Sequence, residues 1–161
     1  MAQLLIIYHS RTGGSRQMAE AAYEAARGEA ETVLKRAEEA GPEDLLSADG
    51  YVFCAPENLA ALSGMMKEFF DRCYYPVLGQ IEGRPYALMI CAGSDGEGAA
   101  RQAARIAKGW RLRDVQPPLI VNTRAQTPEE ILAEKTIPES KLEKCRELGA
   151  ALGAGIKMGV F

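Results

Sequence analysis

Between Ser10 and Ser15 the chain reads Ser-Arg-Thr-Gly-Gly-Ser, which gathers three hydroxyls and two glycines into one short turn. Ser10, Thr12 and Ser15 bring donors, while Gly13 and Gly14 allow the positive φ and close backbone approach needed to wrap an anion. The run Leu4 to Tyr8 before the turn is continuously apolar, as a strand covered on both faces must be. A helical pattern follows it. A loop that leads from a buried strand into a helix N-terminus presents unpaired amides and the positive end of the helix dipole, so its chemistry is the binding of a phosphate. The cradle in this reading is neutral, with hydroxyls and amides doing the holding. GxxxxGK[ST] and GxGxxG are both absent there, which disfavours ATP and a tightly held NAD. The alternative is a strand-to-helix turn that is merely rich in Ser, Thr and Gly.

The elements that must position this turn follow from hydrophobic period. Met18, Ala21, Ala22, Ala25 and Ala26 form one helical stripe ending at Gly28. A weaker strand is expected near Thr32 to Lys35, then a Pro-led segment with Leu45 and Leu46, then a clear strand over Tyr51 to Ala55. Ser63 is placed to cap a helix in which Met66, Phe69, Phe70 and Cys73 share a face. Tyr86 to Ala92 returns as a fully apolar strand, and the next helix carries Ala99, Ala103, Ile106, Ala107 and Trp110 inward. Pro118 to Val121 reads as a fifth strand with its prolines at the start or edge. Thr127-Pro128-Glu129-Glu130 is a capping box, and Glu139 to Leu152 a last helix closed by Gly153.

This alternation means βαβ units, with right-handed crossovers. The fold class expected is α/β, a three-layer sandwich with a five-stranded parallel sheet in order 2-1-3-4-5 and helices on both faces. That order brings the loops after strands one, three and four to one crevice at the carboxyl ends of the strands.

Residues 1 to 161 read as one domain, 47% apolar and 25% charged, without the charge excess that marks disorder. A net charge of −3 argues against nucleic acid as the main partner. The N-terminal apolar run is too short for a membrane span and lacks the features of a signal peptide, so no membrane association and a cytoplasmic location are expected. Cys54, Cys73, Cys91 and Cys145 form no CxxC pair, and with a single histidine they make no metal site of usual spacing. Arg101, Arg105, Lys108, Arg111 and Arg113 recur at helical spacing; a solvated outer face is favoured over an anion-binding one.

Three segments together resemble the flavodoxin-like superfamily, especially its small NAD(P)H-dependent FMN reductases and flavodoxin-family oxidoreductases. They are the S-x-T-G-x-[ST] type loop at Ser10 to Ser15, ADGYVFCAPENLAALSGMMKEFFDR, and GRPYALMICAGSDGEGA. The resemblance implies FMN as cofactor, with Ser10, Arg11, Thr12, Gly13, Gly14 and Ser15 around its phosphate. It places Pro56, Glu57, Asn58, Leu59, Ala60 and Ala61 along the isoalloxazine ring. Ala92, Gly93, Ser94, Asp95, Gly96 and Gly98 then close over the pyrimidine end. Backbone groups suit the ring's acceptors at N1, O2 and O4 and its donor at N3. No side chain is assigned to catalysis, which flavin N5 carries, and no metal is involved. Glu57 or Asp95, if ionised beside the ring, would oppose a reduced flavin anion.

Three functions follow. An enzyme would take hydride from NAD(P)H and pass electrons to a quinone-like or other small acceptor. An electron carrier would instead dock to a redox protein partner, and a flavin-free domain would serve as an interaction module. The absence of aromatic residues from Pro56 to Ala61 and from Cys91 to Gly98 favours the enzyme, because an open ring face admits nicotinamide. A homodimer is the commonest assembly, and a partner subunit could supply the missing cover. A hydrolase is set aside because AGSDG departs from GxSxG at its first glycine. His9 reads as a packed strand-end residue, and Cys54 and Cys91 as small core residues. Tyr74 and Tyr75, expected after the third helix, either flank a ligand, belong to a partner surface or, as is commoner for aromatic residues there, cover the lower edge of the sheet.

Overall fold

A strand whose two faces are both covered needs a continuous apolar run, and β1 (Gln3–Tyr8) has one from Leu4 to Tyr8. In the computed structural model, which describes all 161 residues, Leu4 to Ile7 are fully buried. α1 (Gly14–Ala26) follows, then β2 (Glu31–Arg36), α2 (Pro42–Ser47), β3 (Gly50–Asn58) and the two-residue β4 (Ala61–Leu62). α3 (Gly64–Val77), β5 (Pro85–Ala92), α4 (Glu97–Gly109), β6 (Arg113–Asp114) and β7 (Leu119–Asn122) come next. α5 (Pro128–Leu132) and the long α6 (Glu139–Met158) end the chain.

The parallel core runs β2-β1-β3-β5, with β6 and β7 both on the free edge of β5. The expected order 2-1-3-4-5 is therefore present, but in a sheet of seven strands rather than five. One addition is β4, which turns back antiparallel on the end of β3. The other arises because the fifth strand is broken in two: β6 pairs with Pro85 and Tyr86, and β7 with Met89 to Ala92. Pro117 and Pro118 stand between the pieces and lack the N–H needed to continue the ladder.

Alternation along the strands divides the interior into two layers. Leu4, Ile6, Val52, Cys54 and Met89 pack beneath α1 and α6. Leu5, Ile7, Tyr51, Phe53 and Leu88 pack beneath α3 and α4. Phe53 is the centre of the second layer, with ring centroids at 5.1 Å from Phe70, 5.8 Å from Tyr51 and 6.5 Å from Trp110.

Three local expectations are corrected. Gly153 does not end the last helix, which runs on to Met158 and stops at Gly159 with φ 70°. Gly149 and Gly153 instead let α6 lie against the backbone of α1, where a Cβ at Gly149 would strike the carbonyl of Ala22. Ser63 precedes α3 but makes no side-chain cap. Its buried hydroxyl is taken up by His9 Nδ1 at 2.8 Å. Tyr74 and Tyr75 lie within α3 rather than after it; Tyr74 stacks on Trp110 at 5.6 Å, and Tyr75 is exposed.

The basic residues Arg101, Arg105, Lys108, Arg111 and Arg113 are all exposed. No helix is long and apolar enough to cross a membrane.

Candidate functional site

The loops after β1, β3, β5 and β7 meet at the carboxyl end of the sheet around a cavity of ≈ 400 Å³. Arg11, Thr12, Pro56, Glu57, Asn58, Leu59, Ala60, Ala92, Gly93 and Ser94 line it, so the three loops singled out by the sequence converge there. A neighbouring concavity of ≈ 430 Å³ shares Arg11 and Thr12 and also takes in Ser10 and Gly13.

The first loop turns on Gly13, which takes φ 93° immediately before α1. Of the backbone amides from Arg11 to Arg16, only that of Gly13 has an acceptor, the Oγ of Ser10 at 3.0 Å. The others are free donors at a helix N-terminus. Ser15, one residue into α1, carries the only buried side-chain polar atom without a partner, its Oγ. A buried hydroxyl left unpaired is destabilising unless something meets it. Free amides, hydroxyls and an orphaned Oγ in one turn fit the oxygens of a terminal phosphate.

The second loop is a hairpin between β3 and β4 in which Leu59 and Ala60 have φ 52° and 65°. Such two-residue turns ordinarily use Asn-Gly, so two non-glycine residues here store backbone strain. Leu59 stands fully exposed at the tip. The turn is held against the third loop at Gly98, where any Cβ would collide with the Ala60 carbonyl. Ala61 pairs with Asn58 and does not line the cavity. The amides of Leu59, Ala60, Gly93, Ser94 and Asp95 have no acceptor, which suits a heterocycle rich in carbonyl oxygens.

Glu57 lines the cavity, but its carboxylate is committed elsewhere. Oε1 accepts from Gly96 N and Oε2 from Ala99 N, each at 2.9 Å, so it caps α4 from a distant strand. The positive end of α4 meets the charge that the sequence would have set against a reduced flavin. Asp95 is exposed and, like Gly96 and Gly98, lies outside the cavity lining. Glu57→Ala is expected to lower the unfolding free energy by about 1–2 kcal/mol, the usual loss for a helix cap. Urea unfolding checks this, and an unchanged midpoint would mean that α4 starts without help.

His9 is half-buried, and burial holds its imidazole below the ordinary range near 6.5. It is therefore neutral at physiological pH, bonded to Ser63. All four cysteines are buried and free. Burial pushes Cys91 up to about 11 and Cys54 higher than its ordinary value, so both stay protonated as core residues.

The sequence alone singled out neither Lys135 nor Gln17. Lys135 lines the cavity from the segment after α5, and its Nζ lies 3.5 Å from Thr12 Oγ1. Lys135 N donates to the Thr12 carbonyl at 2.8 Å. Gln17 clamps the same segment, giving a hydrogen bond to Lys135 O at 2.7 Å and accepting one from Ile137 N at 2.9 Å. No short motif marks these residues; Thr123, Ala125 and Ile131 complete this fourth wall.

A parallel sheet in this order, with its crevice built from an anion-binding turn and two backbone-rich loops, defines the flavodoxin-like class. A solved flavodoxin from the domain Archaea superposes with a TM-score of 0.78 over 96% of this chain and 99% of that one, at 16% identity. Residues 3–118 match the model of the NADPH-dependent FMN reductase family, and the chain belongs to that family. A flavodoxin of Aquifex aeolicus is 38% identical over 100 residues, covering 61% of this chain and 54% of that protein. An NAD(P)H dehydrogenase (quinone) of Acidithiobacillus ferrooxidans is 34% identical over a 94-residue alignment covering 45% of this chain and 47% of its own. The chain spans about half the length of these sequence relatives.

Proposed function

We propose that the crevice binds FMN and that the protein is an NAD(P)H-dependent oxidoreductase, delivering electrons to a quinone-like or other small acceptor. One observation carries the choice of enzyme over carrier: none of the fifteen residues lining the cavity is aromatic. A ring resting there is left open to a second planar molecule on its solvent side.

The loop from Ser10 to Ser15 anchors the phosphate through its free amides, the Thr12 hydroxyl and the orphaned Ser15 Oγ. The amides of Leu59, Ala60, Gly93 and Ser94 orient the ring by hydrogen bonds to its acceptors. Bound there, FMN supplies hydride acceptance and electron transfer at its N5. Glu57 leaves the crevice with little free negative charge, since α4 holds its carboxylate. The part played by the protein is positioning and electrostatics rather than proton transfer by a side chain.

The similarity to the Aquifex flavodoxin supports a second reading, a carrier that exchanges single electrons with a protein partner. Titration with FMN followed by stopped-flow mixing with NADPH and NADH separates the readings. Flavin uptake with rapid bleaching by a nicotinamide is expected. Uptake without bleaching by either would favour the carrier, and a protein that takes up no flavin would be an interaction module.

A further inference from the structure

Lys135 is a half-buried cation in the cavity wall, and no carboxylate is among its partners. Its Nζ donates to the carbonyls of Glu130 at 2.8 Å, Ile131 at 2.9 Å and Ala133 at 2.5 Å, at the carboxyl end of α5. We infer that this ammonium is the counter-charge for the phosphate held by the Ser10–Ser15 loop. It makes the site select a phosphorylated flavin over the same flavin without phosphate. The inference rests on the crevice taking a flavin, as proposed above.

Placement is the first support. The backbone of Lys135 is tied to Thr12 O, and Gln17 brackets it on both sides, so Nζ reaches the loop by side-chain rotation alone. It already stands 3.5 Å from the Thr12 hydroxyl. Strength of partner is the second. Backbone carbonyls offer only partial charges, whereas a phosphate dianion adds the full Coulomb attraction of an ion pair in a half-buried wall, so the dianion outcompetes them.

The surrounding charges agree. Glu57 is the only acid lining the cavity, and both its oxygens are bonded to α4. Glu130 is turned away to the amides of Gln126 and Thr127. Glu134 and Glu38 line the neighbouring concavity on the far side of the loop, where Arg16 and Arg36 stand with them. Arg11 lies at the mouth, exposed. The unpartnered amides and the orphaned Ser15 Oγ point independently to an anion at the same turn. The phosphate site is thus not neutral, as the loop's own residues suggest, but charged from a segment more than a hundred residues away in sequence.

The test compares FMN with riboflavin. Lys135→Met keeps the aliphatic stem and removes the charge, and Lys135→Arg keeps the charge. Dissociation constants for both flavins are measured by fluorescence quenching at low and high sodium chloride. Lys135→Met is expected to weaken FMN about 10- to 100-fold while leaving riboflavin within about two-fold. It should also remove most of the salt dependence of FMN binding, whereas Lys135→Arg keeps both the preference and the salt dependence. Equal weakening of both flavins would assign Lys135 to the packing of α5 and overturn the inference, as would unchanged FMN affinity. If the wild-type protein binds neither flavin, the proposed cofactor falls and this inference with it.

Discussion

Gly14→Val is expected to weaken FMN binding by about 100-fold or more. A Cβ at this position would sit 2.6 Å from Cys91 Sγ, 3.5 Å from Ile137 Cδ1 and 3.6 Å from Lys135 Cβ. Those neighbours belong to β5 and to the segment held by Gln17, so they yield little. The start of α1 must then move, and the free amides of Gly14, Ser15 and Arg16 move with it. Losing two such bonds to a charged phosphate, at about 1.5–3 kcal/mol each, amounts to about 3 kcal/mol or more, which is the stated factor. Equilibrium dialysis with FMN checks it. Adding Cys91→Ala removes the nearest obstacle and should recover part of the affinity. An unchanged dissociation constant for Gly14→Val would show that these amides do not anchor the phosphate.

Phe53→Ala is expected to lower the unfolding free energy by about 3–5 kcal/mol, the range for deleting a buried aromatic ring. Phe53 lies within 6.5 Å, centroid to centroid, of Phe69, Phe70, Tyr86 and Trp110, which come from α3, β5 and the turn after α4. None of these can collapse into the space without dragging a helix or the central strand β5, so the cavity persists. A domain of this size has only about 5–15 kcal/mol in total, and the variant should be close to unfolding. Its urea midpoint and near-ultraviolet circular dichroism report the loss. A drop below about 1 kcal/mol would mean that the layer beneath α3 and α4 repacks freely.

The parts of the fold that were legible in the sequence are those set by local pattern. Leu4 to Tyr8, Tyr51 to Ala55 and Tyr86 to Ala92 are strands because uninterrupted apolar runs of this length fit a sheet covered on both sides. Thr127 caps α5 as its motif predicts, accepting from Glu130 N at 3.2 Å. Errors fell where one residue type serves two ends. Gly153 has the composition of a helix stop, yet it is there for close packing, and only the position of α1 distinguishes the two. Ser63 has the composition of a cap, yet His9 claims its hydroxyl from just beyond the end of β1.

The candidate site divides in the same way. From residues 4 to 15 alone comes an anion-binding turn, because a buried strand, a left-handed glycine and a helix N-terminus are all local properties of consecutive residues. No stretch of sequence places Lys135 beside Thr12, binds the Glu57 carboxylate to α4, or bends Leu59 and Ala60 into a left-handed turn without glycine. Those facts depend on where crossover connections land and on which backbones then approach one another, and only long-range packing decides that.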